Sequence, residues 1–224
     1  MEADPFATHG FVLVPEVLGS GECEAIAAHT VGASAGSVGS RCLLSLAWCQ
    51  ALAKHLRRHP MLTAFIPSGF VAAQCTYFEK SRSRNWLVAV HQDLSIPVAE
   101  RINHPALRGW SEKEGCIFVQ APVELLERLV AVRLHIDNCA VNDGPLRLVA
   151  GSHLQGRVTP EAATGVRQAR GEVVCPGPRG SALVMRPLLL HASSKASGTS
   201  MRRVLHLLFG PSELPHGLRW QHAV

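Results

Sequence analysis

The spacing of apolar and polar residues is helical near the start of the chain and strand-like in most of the rest. "LGSGECEAIAAHT" predicts a helix that is capped by Ser20 and runs to about His29. Leu43 to Pro60 predicts a second helix, which the proline ends. The remaining apolar runs are short, are separated by Gly and Pro, and predict strands: "GFVLVP" before the helices, and after them "GFVAAQCTYFEK", "NWLVAVHQ", "LVAVRLHID", "PLRLVAGS", "GEVVCP", "GSALVMRPLLLHAS" and "RRVLHLLFG".

Helices followed by many strands, without regular alternation of the two, favour a mainly β fold. An antiparallel jelly roll with helical cover is the architecture that fits this order. The length of 224 residues predicts one domain over residues 1–224. Residues 97–115 form the longest stretch without a clear pattern, and we expect either a surface loop or a lid over a site.

Composition limits the class of protein further. A hydrophobic content of 47% with 17% charged residues is globular, and the net charge of +5 is modest. The basic residues are dispersed, so we expect solvated charges, Lys80 among them, and no nucleic-acid partner. No secretory leader or membrane-length apolar run is evident, which predicts a cytoplasmic protein without a membrane partner. Seven scattered cysteines without a C-x-x-C pair argue against disulfides and zinc knuckles.

A His-x-Asp triplet occurs twice, at His91/Asp93 and at His135/Asp137. Residues two apart on a strand point to the same face, so either triplet offers two of the three ligands of a facial Fe(II) triad. The second triplet alternates with apolar residues, as in a half-buried strand. From the residues alone, both triplets stay open as metal ligands.

The third ligand must come from another strand, and His191 is the candidate. It lies where an apolar strand gives way to a small polar loop, and the next strand opens with Arg202 and Arg203. Arginine binds a carboxylate through two parallel hydrogen bonds, so one pocket could hold a metal and a diacid such as 2-oxoglutarate.

The chain resembles the phytanoyl-CoA dioxygenase (PhyH)-like family of Fe(II)/2-oxoglutarate-dependent oxygenases over nearly its whole length. The resemblance rests on "GFVLVPEVLGSGECEAI", "HQD", "NDGPLRLVAGSH" and "HASS…RRVLHLLFG". The third phrase is the most specific, although it has Asp143 where the family commonly has Asn and Ala150 where Pro is common. The resemblance implies a double-stranded β-helix of the cupin kind, with N-terminal helices packed on the major sheet.

The resemblance also assigns site residues. In the family the metal-binding triplet lies several tens of residues before the Gly-Pro-Leu segment. This position selects His91 and Asp93, with His191, as the metal ligands and catalytic residues, and leaves His135 as a structural histidine or a pocket residue. Cosubstrate contacts are implied for four further residues, with Arg202 favoured over Arg203 as the anchor: Arg202, Ser193, Gln74 and Trp110.

The implied activity is an Fe(II)-dependent dioxygenase reaction with 2-oxoglutarate as cosubstrate and O2 as oxidant. An aspartate at position 93 favours hydroxylation, because a halogenase of this superfamily has a small residue there to admit a halide. We therefore expect hydroxylation of a C–H bond in a small-molecule substrate, with release of succinate and CO2. The alternatives are a catalytically inactive protein and a cupin-type metal protein that does not use 2-oxoglutarate. Within the family, an isomerase or epimerase outcome of the same oxidation also stays open.

Overall fold

A computed structural model describes residues 4–31 and 39–224 of the chain. Five α-helices are present in this part of the chain: α1 (Pro5–His9), α2 (Ser20–His29), α3 (Ala47–Arg58), α4 (Val123–Leu126) and α5 (Pro160–Arg170). Helix α2 begins at Ser20, one residue earlier than predicted, because Gly19 and not Ser20 is the capping position. The Gly19 amide donates to the Glu22 carboxylate at 2.8 Å. Helix α3 ends just before His59–Pro60, as the proline predicts.

Thirteen strands are present in the described part of the chain. They are β1 (Phe11–Val14), β2 (Gly39–Ser40), β3 (Phe70–Lys80), β4 (Val88–His91), β5 (Ser95–Val98), β6 (Arg108–Lys113), β7 (Cys116–Gln120), β8 (Val130–His135), β9 (Leu146–Leu148), β10 (Val173–Cys175), β11 (Ala182–Met185), β12 (His191–Ser193) and β13 (Arg202–Pro211). They form a major sheet in the order β1-β11-β8-β13-β3-β2 and a minor sheet in the order β10-β9-β12-β4. A third sheet has the order β5-β7-β6.

The major and minor sheets enclose a cavity between them, and this confirms the predicted jelly-roll architecture. The helices α1, α2 and α3 cover the outer face of the major sheet. Phe6, Ile26 and Leu56 from these helices join Val132 and Leu134 of β8 in one apolar cluster. Burial of this layer is the main source of stability, at about 25 cal/mol per Å² of apolar surface.

Two local expectations are wrong. Strand β8 is buried on both faces and not half-buried, because helices cover one face and the minor sheet lies across the other. Residues 97–115 are not irregular throughout: they contain β6 and the end of β5, and both pair with β7. No helix in the described part of the chain is long and apolar enough to cross a membrane.

Candidate metal and cosubstrate site

Three predicted ligands meet at the edge where β4 and β12 pair. His191 opens β12 and lies opposite His91 in the register of the two strands, while Asp93 follows β4 directly. One ligand atom from each residue lies within 4.8 Å of the others. The amide of Asp93 donates to the carbonyl of Pro187 at 2.9 Å, which fixes the start of this turn against the loop before β12.

Both histidines are oriented by their own strands. Nδ1 of His91 lies 2.9 Å from the Ala89 carbonyl, and Nδ1 of His191 lies 2.8 Å from the Leu189 carbonyl. A carbonyl can only accept, so each Nδ1 carries the proton and each Nε2 presents a lone pair. Such outer hydrogen bonds fix the ring orientation of metal-binding histidines.

The remaining distances suit three ligands around one ion. Nε2 of His91 and Nε2 of His191 each lie 3.7 Å from a carboxylate oxygen of Asp93. This is too long for a hydrogen bond but shorter than two metal–ligand bonds of about 2.0–2.2 Å end to end. The two-histidine, one-carboxylate set is the donor set of non-haem Fe(II) sites, so these residues fit that metal.

The protonation states also suit a metal. Burial lowers the pKa of His191, which keeps its imidazole neutral at neutral pH. Burial alone raises the pKa of Asp93, but the neighbouring imidazoles of His191, His206 and His91 outweigh it and hold that pKa below its usual value. An ionised carboxylate and a neutral imidazole are the forms that bind metals.

The triad lies in a cavity of about 640 Å³, which is within the usual range for a small-molecule site. The lining residues come from the major sheet, the minor sheet and the segments that connect them. Those that bear on the chemistry are Arg41, Gln74, Thr76, Phe78, Trp86, His91, Asp93, Lys113, Arg133, His191, Ser193, Arg202 and His206. Asp93 is the only carboxylate in this lining among the described residues.

Arg202 lies in the cavity wall and is 2% exposed. Its Nη1 donates to the Gly144 carbonyl at 2.7 Å, and the Ser193 hydroxyl donates to the same carbonyl at 2.9 Å. Its Nε is buried and has no hydrogen-bond partner among the described residues. An anchored guanidinium with one free buried edge is what a carboxylate of a bound diacid requires.

Lys80 is not the solvated charge that the sequence indicated. It is 1% exposed, lies opposite Arg202 in the β3–β13 register, and donates to Ser193 Oγ at 2.6 Å and to the Ser194 carbonyl. Burial, followed by the charges of Arg202 and Arg133, lowers the pKa of Lys80 to about 7. Lys80 is therefore a second basic group beside Arg202, the predicted cosubstrate anchor.

Arg203 and the second His-x-Asp triplet lie elsewhere. Arg203 forms a bidentate ion pair with Asp137, with N–O distances of 2.8 and 2.7 Å, and neither residue lines the cavity. His135 is buried, lies 3.1 Å from the Ser181 hydroxyl and is also absent from the lining. This position favours the structural role over the pocket role, and the role of His135 stays a prediction.

The two weaker cosubstrate predictions differ in outcome. Gln74 lines the cavity, where its amide nitrogen donates to the Thr76 hydroxyl at 2.9 Å. Trp110 does not line it: this residue packs against the apolar cluster of the third sheet, with Arg101 over its ring at 6.0 Å. The cosubstrate contact of Trp110 therefore stays a prediction that the cavity lining does not support, and Trp86 is a tryptophan that does line the cavity.

Two polar residues of the cavity were missed as site candidates. Arg133 and His206 lie opposite each other on β8 and β13, and both face the cavity. Nε2 of His206 is 3.6 Å from Asp93, and burial lowers the pKa of His206 to about 4. The sequence did contain a signal for His206. Arg202, Val204 and His206 are alternate residues of β13, so their side chains lie on the same face of that strand.

Comparison with known families agrees with this fold and this site. The family model described as Phytanoyl-CoA dioxygenase (PhyH) matches residues 6–204. The chain therefore belongs to the phytanoyl-CoA dioxygenase family. No curated protein sequence matches the chain.

Several solved structures share the fold. One is the non-haem α-ketoglutarate-dependent epimerase SnoN from nogalamycin biosynthesis, with a TM-score of 0.68 and 16% identity over 93% of this chain and 79% of that chain. HygX from Streptomyces hygroscopicus, crystallised with nickel and 2-oxoglutarate, has a TM-score of 0.63 and 17% identity over 92% and 85% of the two chains. AviO1 from Streptomyces viridochromogenes Tue57 has a TM-score of 0.65 and 18% identity over 94% of each chain.

Proposed function

We propose that this protein is an Fe(II)- and 2-oxoglutarate-dependent dioxygenase that hydroxylates a C–H bond of a small-molecule substrate. The observation that carries the proposal is the convergence of His91, Asp93 and His191, with two Nε2 atoms and one carboxylate directed at a common point. Family membership supports it. The nickel and 2-oxoglutarate in HygX, and the iron and α-ketoglutarate in SnoN, support the choice of metal and cosubstrate.

In this proposal the metal and cosubstrate supply the oxidation, in which O2 is consumed, 2-oxoglutarate is converted to succinate and CO2, and one oxygen atom enters the substrate. His91, Asp93 and His191 would hold the metal at the wall of the cavity. Arg202 binds the distal carboxylate through its free edge, while the Gly144 carbonyl keeps the guanidinium in place. Ser193 and Gln74 complete the cosubstrate pocket.

Hydroxylation, rather than another outcome of the same oxidation, is proposed from Asp93. A carboxylate at this position fills the coordination site that a halide would need. The relatives do not all hydroxylate, since SnoN is an epimerase. The small-molecule ligands of the relatives, hygromycin B for HygX and nogalamycin RO for SnoN, support a small-molecule substrate of modest size for this cavity.

The test is Fe(II)-dependent formation of succinate from 2-oxoglutarate by the purified protein. We expect turnover in the wild type, its loss in His91→Ala, Asp93→Ala and His191→Ala, and its retention in His135→Ala, which removes a buried histidine outside the cavity. Succinate formation that survives Asp93→Ala but not His135→Ala would overturn the assignment. A protein that binds metal but forms no succinate would favour the cupin-type or inactive alternative.

A further inference from the structure

Arg133 is a cation inside the cavity that the proposed reaction does not use. It lies on β8 opposite His206, is 6% exposed and lines the cavity. Its guanidinium lies over the Phe78 ring at 5.6 Å, which holds the side chain against the major sheet. The group is therefore positioned between the metal ligands and the Arg202 end of the cavity.

Arg133 has no protein carboxylate as an ion-pair partner among the described residues, although the charge of Asp93 acts on it from beyond ion-pair distance. Within residues 4–31 and 39–224 its side chain has no ion pair and no hydrogen bond, although it is almost fully buried. Burial first, and then the charge of Arg202, lower the pKa of Arg133 to about 9, so it is still charged at neutral pH. Burial of a charge without an ion pair is unfavourable by several kcal/mol. Because no ion pair or hydrogen bond within the described protein offsets this cost, we infer that Arg133 has a binding role.

A charge count shows what the cosubstrate leaves uncompensated. Fe(II) contributes two positive charges, Asp93 one negative charge, 2-oxoglutarate two negative charges and Arg202 one positive charge, so these four groups are neutral together. Arg133 then remains as a buried cation in a lining with no carboxylate besides Asp93 among the described residues. The other basic residues of the lining, Arg41 and Lys113, are half-buried and exposed, so solvent compensates their charges. The Arg202 end of the cavity already has a second basic group in Lys80, so Arg133 is not needed there.

We propose that the primary substrate carries an oxyanion, a carboxylate or a phosphate, and that Arg133 binds this group within the cavity. The inference rests on the proposed function, because the charge count assumes a bound metal and 2-oxoglutarate. A planar guanidinium binds either kind of oxyanion through paired hydrogen bonds. The anion at Arg133 would place the rest of the substrate beside the metal, and a neutral analogue would leave the guanidinium unpaired.

The test uses calorimetry on protein loaded with Ni(II), a redox-inert substitute for iron, in two successive titrations. The first measures 2-oxoglutarate binding, and the second adds inorganic phosphate, benzoate or benzamide to the loaded protein. The proteins are the wild type, Arg133→Gln, Arg133→Lys, Arg202→Gln as the reference for the first titration, and the control Arg101→Gln, which removes an exposed arginine outside the cavity. Arg133→Gln removes an unpaired buried cation, so we expect its melting temperature to equal or exceed that of the wild type.

We expect benzoate or phosphate to bind the loaded wild type and Arg101→Gln, and to bind Arg133→Gln at least tenfold more weakly, with partial recovery in Arg133→Lys. Benzamide, which is neutral and similar in shape to benzoate, should not bind at about 10 mM. Binding of benzoate alone assigns a carboxylate, and binding of phosphate alone assigns a phosphate ester.

Three results would overturn the inference. They are equal anion affinity in the wild type and Arg133→Gln, no binding of either anion to the loaded wild type, and a loss of 2-oxoglutarate affinity in Arg133→Gln as large as that in Arg202→Gln. The last result would make Arg133 a cosubstrate residue. Failure of the wild type to bind 2-oxoglutarate would appear in the first titration and would overturn the proposed function itself.

Discussion

Replacement of Arg202 by glutamine should weaken 2-oxoglutarate binding far more than it weakens the fold. The residue is 2% exposed, and its Nη1 donates to the Gly144 carbonyl, which keeps the Ser193 hydroxyl as a second donor. The guanidinium also has a hydrogen bond with the side chain of Cys139. The change removes hydrogen bonds to a charged group, each with a net value of about 1.5–3 kcal/mol. Lys80 and Arg133 remain nearby and offset part of the loss.

We therefore expect a loss of about 2–3 kcal/mol, which raises the dissociation constant of 2-oxoglutarate about 30- to 150-fold. The assay is calorimetric titration of the Ni(II)-loaded protein with 2-oxoglutarate. Arg203→Gln is the matched control, because that guanidinium is bound to Asp137 outside the cavity. Arg202→Lys keeps the charge without the planar fork and should lie between the two. An affinity within threefold of the wild type in Arg202→Gln, or a larger loss in Arg203→Gln, would refute the role of Arg202.

Three further predictions concern the surroundings of the site. The pKa of Lys80 falls from 10.5 to about 7 on folding, so the unfolded chain binds more protons than the folded protein between these pH values. Denaturation at several pH values should therefore show that the wild type gains stability relative to Lys80→Met as the pH rises from 7, by at most about 1.4 kcal/mol per pH unit. Gly144→Ala should lower the free energy of unfolding by more than about 2 kcal/mol in chemical denaturation, because φ is +65° and the new Cβ would lie 2.6 Å from the Ser194 carbonyl oxygen. The control Gly165→Ala, where the new Cβ would meet open space in α5, should leave the free energy of unfolding unchanged or raise it. His206→Leu should keep one metal per chain in equilibrium dialysis with about 10- to 100-fold weaker affinity, and a complete loss of metal would make His206 a fourth ligand.

The sequence predicted the elements and the sheet-rich architecture well, because short apolar runs between Gly and Pro report local structure directly. It predicted the ligand set only with the family resemblance, since His91/Asp93 and His135/Asp137 have the same local pattern. The difference between them is non-local. The second triplet lies where β8 pairs with β13, and this pairing brings Arg203 next to Asp137. The Asp137 carboxylate therefore forms an ion pair with Arg203.

The same limit explains the residues that were missed. Arg133 alternates with the apolar Val132 and Leu134, a pattern that usually indicates a solvent-exposed strand face, and Lys80 lies between polar neighbours at a strand end, where exposure is also expected. In the folded protein the minor sheet lies over that face, so the charges are buried around a cavity. Which face a second sheet covers depends on contacts between distant segments, and no short window of sequence contains them.

The central claim is that a metal held by His91, Asp93 and His191 keeps adjacent positions open for 2-oxoglutarate. The most direct measurement is an anaerobic titration of the Fe(II)-loaded protein with 2-oxoglutarate, followed by the weak visible charge-transfer band of the chelated keto acid. We expect a band that saturates at one 2-oxoglutarate per chain, is absent in Asp93→Ala and persists in His135→Ala. A wild type that binds Fe(II) without developing the band, or an equal band in Asp93→Ala, would contradict it.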